Sequence, residues 1–129
     1  MSHEFNWSEY LYFAQSMVGN FTNPCSEEAK LRAAISRAYY AAYWKARKYI
    51  EDDTSYTPSS GYYKHQEVKG YFYQRRSHPL YNLIYLKLMC LYDLRILADY
   101  KDSQAVTIKD TQLALNYASE IIKQVSRLK

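Results

Sequence analysis

Apolar residues recur along this chain at the spacing of an α-helix, and no segment alternates between apolar and polar residues as a strand does. Turn-forming residues interrupt the pattern at positions 19–24 and 51–61. The pattern predicts helices at about 7–18, 26–50, 63–75 and 77–100, and a fifth that begins at residue 107. We therefore expect a single all-α domain over residues 1–129, an up-and-down bundle of about five helices.

Residues typical of helix N-termini stand at several of the predicted starts. Thr107 is followed three positions later by Asp110, and Asn6 by Glu9, the spacing of a reciprocal capping pair. Pro79 suits the first turn of the fourth helix, because a proline there gives up no intrahelical hydrogen bond.

The apolar positions also predict which helix faces are buried. The predicted stripe of the first helix is Trp7, Tyr10, Leu11, Ala14, Met17 and Val18, and that of the fifth is Leu115, Ala118, Ile122 and Val125. On the second helix, alanines recur every four residues, at Ala34, Ala38, Ala42 and Ala46, and permit close approach by a neighbour. The fourth helix is apolar nearly all round, which predicts either a central position or burial in an oligomer interface. A five-helix domain of this size hardly covers it on every side, so we expect a homodimer.

Composition excludes several classes of function. The chain has 129 residues, of which 48% are hydrophobic, and it contains sixteen tyrosines but three glycines. Three scattered glycines build neither a G-x-G-x-x-G turn nor a Walker-type loop, which excludes dinucleotide-binding and P-loop enzymes. Cys25 and Cys90 form no C-x-x-C pair, and we expect both to be buried free thiols. With no signal peptide or membrane span apparent, we expect a soluble, cytoplasmic protein.

The formal net charge is +4, and part of it falls between residues 62 and 78. Four basic residues stand there against one acidic residue, interleaved with aromatic residues. Basic and aromatic side chains together hold phosphates and stack on bases. A solvated basic helix has the same composition, so both interpretations stay open.

Metal-dependent and nucleophilic chemistry find no support in the motifs. The Glu-x-x-His pairs of di-iron bundles and the His-Glu-x-x-His motif are absent. His65 and Glu67 match half of a zinc deaminase signature, but the P-C-x-x-C half is missing. No serine lies in a G-x-S-x-G elbow. We predict no metal and no cofactor.

Arginines in apolar surroundings are the strongest candidates for a site. Arg37 and Arg95 both lie among apolar and aromatic neighbours, which predicts burial and an anionic partner. Asp99, four residues after Arg95, is placed to pair with it along the helix. Such a pair serves either as an internal tie or as part of a pocket in which the arginines hold a phosphate beside tyrosines.

Two segments resemble a known family. Residues 32–43, RAAISRAYYAAY, and residues 95–100, RILADY, resemble the HEPN superfamily of small all-α domains. The likeness is greatest to a prokaryotic subgroup with SRAYYA on the second helix and R-x-x-A-D-Y at the end of the fourth. A histidine opens the third helix in that subgroup, and His65 is similar.

The resemblance implies a bundle that dimerises along its motif helices, with a cleft between the copies. HEPN proteins include metal-independent endoribonucleases, in which an arginine on the late long helix is followed shortly by a histidine. Tyr100, Lys101 and Asp102 occupy the corresponding positions here. His65 supplies the missing imidazole if the third helix begins beside Arg95; otherwise it is a cap or surface residue.

Three functions follow from these observations. The leading one is a homodimeric HEPN-like domain that binds a nucleotide or RNA phosphate, as a toxin-like partner of a nucleotidyltransferase-like antitoxin. Its cleft is expected to contain Arg37, Tyr40, His65, Arg95, Asp99 and Tyr100. The second is an active endoribonuclease in which His65, Arg95 and Asp99 are catalytic. The third is a structural dimerisation module, with Arg37 and Arg95 as internal ties.

Overall fold

The structure, a computed structural model, describes residues 3–17, 19, 25–54 and 56–128. These residues form five α-helices and contain no strand. The helices are α1 (Ser8–Met17), α2 (Glu27–Asp53), α3 (Lys64–Gln74), α4 (Pro79–Tyr100) and α5 (Ile108–Ser126). The predicted all-α bundle is confirmed, with bounds that differ from the predicted ones by at most a few residues. Across the described helices, none is both long enough and apolar enough to cross a membrane.

The predicted start of α5 is confirmed at the level of single hydrogen bonds. The Thr107 hydroxyl accepts from the Asp110 backbone N–H at 3.2 Å, and the Asp110 carboxylate accepts from the Thr107 backbone N–H at 3.0 Å. This reciprocal pair is a capping box. At α4, Pro79 occupies the first turn as predicted, and His78 Nδ1 accepts from the Leu80 backbone N–H.

The reciprocal cap predicted for α1 is wrong in one half. Asn6 Oδ1 accepts from the Ser8 backbone N–H at 3.1 Å, as a cap does. Glu9 instead accepts from the Ser26 backbone N–H at 2.7 Å. Its carboxylate therefore ties α1 to the residue that caps α2.

Helix α2 is the centre of the bundle. It packs most extensively on α5 and α4, and it also contacts α1 and α3. The alanine row on α2 lies at these contacts: Ala38, Ala42 and Ala46 are buried. The hydrophobic core continues with Ile35, Tyr39, Tyr43, Ile50, Phe72, Ile84, Leu88, Leu91, Ile121 and Val125.

The predicted stripe of α5 is partly wrong. Leu115 is 49% exposed, whereas Ile121 is fully buried, so the buried face runs through Thr111, Ala114, Ala118, Ile121 and Val125. Apolar residues stand on both sides of this helix, and their spacing alone does not decide which side meets α2 and α4.

The stripe predicted for α1 is wrong for the residues whose side chains the structure describes. Leu11, Ala14 and Met17 are exposed, because α1 packs against no described helix other than α2. Trp7 is half-buried and precedes the helix. The side chain of Tyr10 and Val18 lie outside the described part of the chain.

The burial predicted for the two cysteines is also wrong. Both thiols are free, but Cys25 is half-buried and Cys90 is exposed. Cys90 lies on the outer face of α4 beside Met89 and near Leu86, and both of these apolar side chains are exposed as well. Part of the apolar surface of α4 therefore lies outside the core of one chain.

Candidate functional site

Arg95 is buried where α4 packs on α2, and aromatic and acidic groups surround it. It is 8% exposed, as the sequence predicted. Nε donates to Asp99 Oδ2 at 3.0 Å, which confirms the pair along α4. Nη2 donates to the hydroxyls of Tyr40 at 2.8 Å and Tyr100 at 3.2 Å. Ser36 on α2 holds the same Asp99 oxygen at 3.1 Å, so the ion pair is tied to both helices.

The guanidinium of Arg95 retains unused donors. It carries five N–H bonds, and those on Nε and Nη2 are directed at Asp99, Tyr40 and Tyr100. The two N–H bonds on Nη1 have no partner among the described residues. Since no fully buried side-chain nitrogen or oxygen of the described residues lacks a partner, Nη1 reaches solvent. Arg95 also lines a cleft, and Nη1 is its one nitrogen without a partner among the described residues.

That cleft has a volume of about 610 Å³ and a predominantly aromatic lining. Its tyrosine rings come from α2, α4 and the segment before α3: Tyr40, Tyr62, Tyr63, Tyr92 and Tyr100. Lys64, His65 and Arg95 supply its basic groups. Tyr62, 91% exposed, and Tyr63, 65% exposed, stand edge to face with their ring centroids 4.9 Å apart. The cleft therefore combines cations with free aromatic faces.

The third helix does begin beside Arg95. The segment before it is held down by Arg47, which donates to the backbone carbonyls of Pro58 and Ser59. The Ser59 backbone N–H in turn donates to Glu67, on the first turns of α3. These bonds fix the N-terminal turn of α3, and they bring His65 into the cleft that contains Arg95.

His65 is enclosed by tyrosines. Its ring centroid lies 5.0 to 6.0 Å from those of Tyr39, Tyr40, Tyr43 and Tyr92. Nδ1 is 2.7 Å from the Tyr39 hydroxyl. Burial lowers the pKa of His65 to about 4, and the positive charges of Arg95 and two lysines act in the same direction. The imidazole is therefore neutral at pH 7.

The prediction that Arg37 is buried is wrong. Arg37 is exposed, and it does not line the cleft of Arg95. It lies two residues before Tyr39, which places it about 200° around the helix from that buried ring. Arg37 instead lines a neighbouring groove between α1 and α2, to which Tyr40 also contributes. The structure thus brings together Tyr40, His65, Arg95 and Tyr100, with Asp99 behind the arginine.

Two other arginines are buried, and sequence reasoning missed both. Arg32 is fully buried, and Arg47 is 5% exposed. A signal was present: Arg32 pairs with Glu28 and Arg47 with Glu51, each four residues away, as Arg95 pairs with Asp99. Arg37 has alanine at both corresponding positions. The three buried arginines each have a carboxylate four residues away, and the exposed Arg37 has none.

Within the part of the chain that the structure describes, no three His, Cys, Asp or Glu side chains are grouped so as to hold a metal ion. No protein-family model, no curated protein and no solved structure matches the chain.

Proposed function

We propose that the cleft at Arg95 binds the phosphate group of a nucleotide or of an RNA strand. The observation that carries this proposal is the free pair of N–H donors on Nη1 of a buried, oriented guanidinium. A guanidinium N–H forms a short, charge-assisted hydrogen bond to a phosphate oxygen, and the N–H bonds of Nη1 are available for such a bond. Tyr40 and Tyr100 accept from Nη2, so each hydroxyl keeps its own hydrogen for a ligand oxygen.

Arg32 shows what a purely structural arginine looks like in this fold. Its Nε donates to Glu28, and its two terminal nitrogens donate to four backbone carbonyls, of Leu97, Ala98, Lys101 and Gln104. All five N–H bonds are therefore used. Arg95 differs because its unused donors face a cleft, and this difference favours a binding role over a structural one.

The aromatic lining supports a nucleotide rather than a free phosphate. Tyr62 and Tyr63 are exposed at the cleft, where a base gains by stacking on an aromatic face. Lys64 adds a positive charge at the same cleft. The neutral imidazole of His65 adds none at pH 7.

The association of the protein is a further part of the proposal. Leu86 and Met89 expose 44% and 36% of their surface on α4. Covering these side chains with a second copy removes apolar surface from water. A homodimer agrees with the resemblance of the SRAYYA and RILADY segments to HEPN domains. A toxin-like role beside a nucleotidyltransferase rests on that resemblance alone.

One observation favours a second function, metal-independent RNA cleavage. His65 and Arg95 line the same cleft, so an imidazole and a phosphate-binding group are available together. Attack of the ribose 2′-hydroxyl on the adjacent phosphorus forms a 2′,3′-cyclic phosphate and breaks the bond to the 5′-oxygen of the next nucleotide. The step needs a base for the hydroxyl proton, a proton for the departing 5′-oxygen and stabilisation of the phosphate.

The test compares two substitutions of equal charge. Arg95→Lys keeps the positive charge but removes the planar guanidinium and its N–H donors. Arg76→Lys makes the same change at an exposed arginine outside the cleft. We expect the wild type to bind adenosine 5′-monophosphate and a short oligouridylate in calorimetric titrations. Arg95→Lys should weaken binding at least about tenfold, and Arg76→Lys less than about twofold. Equal affinities in all three proteins, or no binding by the wild type, would show the proposal to be wrong.

The same proteins test the second function. Incubation of the oligouridylate with wild type in the presence of EDTA yields a 2′,3′-cyclic phosphate if the protein cleaves RNA. Intact oligouridylate at saturating protein excludes cleavage of this substrate and leaves binding.

A further inference from the structure

The hydrogen bond between Tyr39 and His65 determines which ring nitrogen of the histidine carries the proton. The Tyr39 hydroxyl lies 2.7 Å from Nδ1. Either the hydroxyl donates to a bare Nδ1, or a protonated Nδ1 donates to the hydroxyl oxygen. In the first arrangement Nε2 carries the proton of the neutral ring and is a hydrogen-bond donor. In the second arrangement Nε2 has a lone pair and is an acceptor.

The surroundings of Tyr39 favour the first arrangement. Tyr39 is 1% exposed, and among the described residues its hydroxyl has no hydrogen-bond partner other than His65 Nδ1. If Nδ1 donated, the O–H hydrogen of Tyr39 would be buried without an acceptor, which is costly. If the hydroxyl donates, that hydrogen is satisfied. Burial also raises the pKa of Tyr39, so the hydroxyl keeps its proton at every pH near neutrality.

Nε2 then bears the proton of the neutral ring and faces solvent. The described residues offer it no hydrogen-bond partner, and no fully buried side-chain nitrogen or oxygen among them is unpartnered. Solvent therefore reaches Nε2, and His65 lines the cleft that Arg95 lines. Arg95 and His65 also flank the same two rings: the guanidinium carbon lies 5.7 Å and 5.2 Å from the centroids of Tyr39 and Tyr40.

We propose that Tyr39 is a positioning residue that holds His65 as the Nε2–H tautomer, so that the imidazole donates to an oxyanion bound at Arg95. This inference rests on the proposed function and adds a second recognition group to it. The same tautomer favours binding over RNA cleavage. A neutral ring with its proton on Nε2 has no lone pair at that atom to accept the proton of a ribose 2′-hydroxyl.

The charges around His65 maintain the neutral ring that this arrangement requires. Lys64 and Lys69 on α3 and Arg95 on α4 all oppose a second proton on the imidazole. The remaining groups packed on the ring are the tyrosines of α2 and Tyr92 of α4, none of which is a carboxylate that would favour a second proton. Burial lowers the pKa of Lys69, and the negative charge of Asp93 on α4 partly opposes this decrease. The Lys69 ammonium lies 3.9 Å from the ring centroid of Tyr92.

The test begins with the ligand-free protein. Long-range ¹⁵N–¹H spectra of ¹⁵N-histidine-labelled protein at pH 7 report which nitrogen of each ring is protonated. We expect Nε2–H at His65 in the wild type and a mixture of tautomers in Tyr39→Phe, which keeps the ring but lacks the hydroxyl. Tyr92→Phe is the matched control, because its ring lies 5.6 Å from the imidazole and its hydroxyl makes no hydrogen bond to His65. A wild-type His65 protonated on Nδ1, or a tautomer unchanged in Tyr39→Phe, overturns the proposal.

Titration with inorganic phosphate then tests the donor itself. Tyr39→Phe should lower the affinity between about twofold and tenfold. Tyr73→Phe, at an exposed tyrosine of α3 outside the cleft, should leave it unchanged. His65→Gln places an amide N–H donor near the position of Nε2 and should retain most of the affinity, whereas His65→Leu should lose about tenfold. Equal losses in His65→Gln and His65→Leu count against the donor role. Absence of phosphate binding by the wild type overturns the proposed function, while the tautomer of the ligand-free protein still decides the effect of Tyr39.

Discussion

The Arg95 guanidinium is joined to the Asp99 carboxylate across one turn of α4, with Nε 3.0 Å from Oδ2. This contact engages Nε, the tyrosine hydroxyls engage Nη2, and Nη1 is left without a partner among the described residues. Burial lowers the pKa of Arg95, but the neighbouring Tyr40, Tyr100 and Asp99 raise it more, so its net shift is upward. Asp99 therefore orients a permanent cation and compensates its charge.

Asp99→Ala should destabilise the protein by about 3 kcal/mol, because it leaves a buried guanidinium without its counter-charge. Added phosphate should recover part of this loss, since an anion at Nη1 supplies the missing charge. Urea denaturation with and without phosphate measures both effects. A concentration of about 10 mM is sufficient for a weak site.

The matched control is Asp93→Ala, which removes an exposed carboxylate from the same helix. It should change the free energy of unfolding by less than about 0.5 kcal/mol and show no extra response to phosphate. Equal stabilisation of both variants by phosphate would contradict the replacement of the Asp99 carboxylate by the anion, and no stabilisation of either variant would contradict a site at Arg95.

Arg32→Met should be among the most destabilising substitutions in the chain. It removes the donors of four backbone carbonyls and the cation that lies 4.4 Å from the ring centroid of Phe5. We expect a loss of about 3–5 kcal/mol in denaturant unfolding. Arg37→Met, at an exposed position on the same helix, should cost less than about 0.5 kcal/mol. Similar losses in the two variants would disprove the distinction between them.

The face of α5 that meets the core can be tested with two truncations. Ile121→Ala removes a fully buried side chain and should cost about 2–5 kcal/mol. Leu115→Ala, at a position 49% exposed, should cost less than about 1 kcal/mol. Denaturant midpoints of the two variants measure the difference, and the reverse order would restore the stripe predicted from sequence.

The low pKa of His65 predicts a loss of stability in mild acid. The group titrates near pH 4 in the folded protein and near 6.5 in the unfolded chain. Between these values the unfolded chain binds a proton that the folded protein does not, so the free energy of unfolding falls as the pH is lowered from about 6.5 to about 4. The stabilisation is fully present above pH 6.5.

His65→Gln is the variant that isolates this effect, because it leaves His3 and His78 in place. Urea denaturation at pH 7.5 and pH 5 should show a larger decrease for wild type than for His65→Gln. Equal decreases would mean that His65 is protonated as readily in the folded as in the unfolded state.

The local features of this fold follow directly from the sequence. Helix spacing and the Thr107–Asp110 pair depend on neighbours within one or two turns, so they are visible in the chain itself. The same holds for Arg95 and Asp99, four residues apart.

Features that depend on how helices meet were harder to predict. Arg37 and Arg95 both have apolar neighbours, but only the packing of α2 decides that residue 37 faces solvent. Arg32 takes four of its partners from carbonyls at and beyond the end of α4, 65 or more residues away, and sequence spacing does not indicate such contacts. The Tyr39–His65 contact likewise joins α2 to α3. It depends on the position of the segment before α3, which Arg47 binds through a backbone carbonyl.

Helix ends ordinarily fray, yet Arg32 binds the carbonyls of Leu97, Ala98 and Lys101 at the end of α4. Tyr100 lies within this anchored turn, and its hydroxyl is already in contact with Arg95. The backbone amide hydrogens there should exchange with deuterium slowly for a helix terminus. A ligand then meets a wall that is ordered before it arrives, so little of its binding free energy is spent on ordering α4.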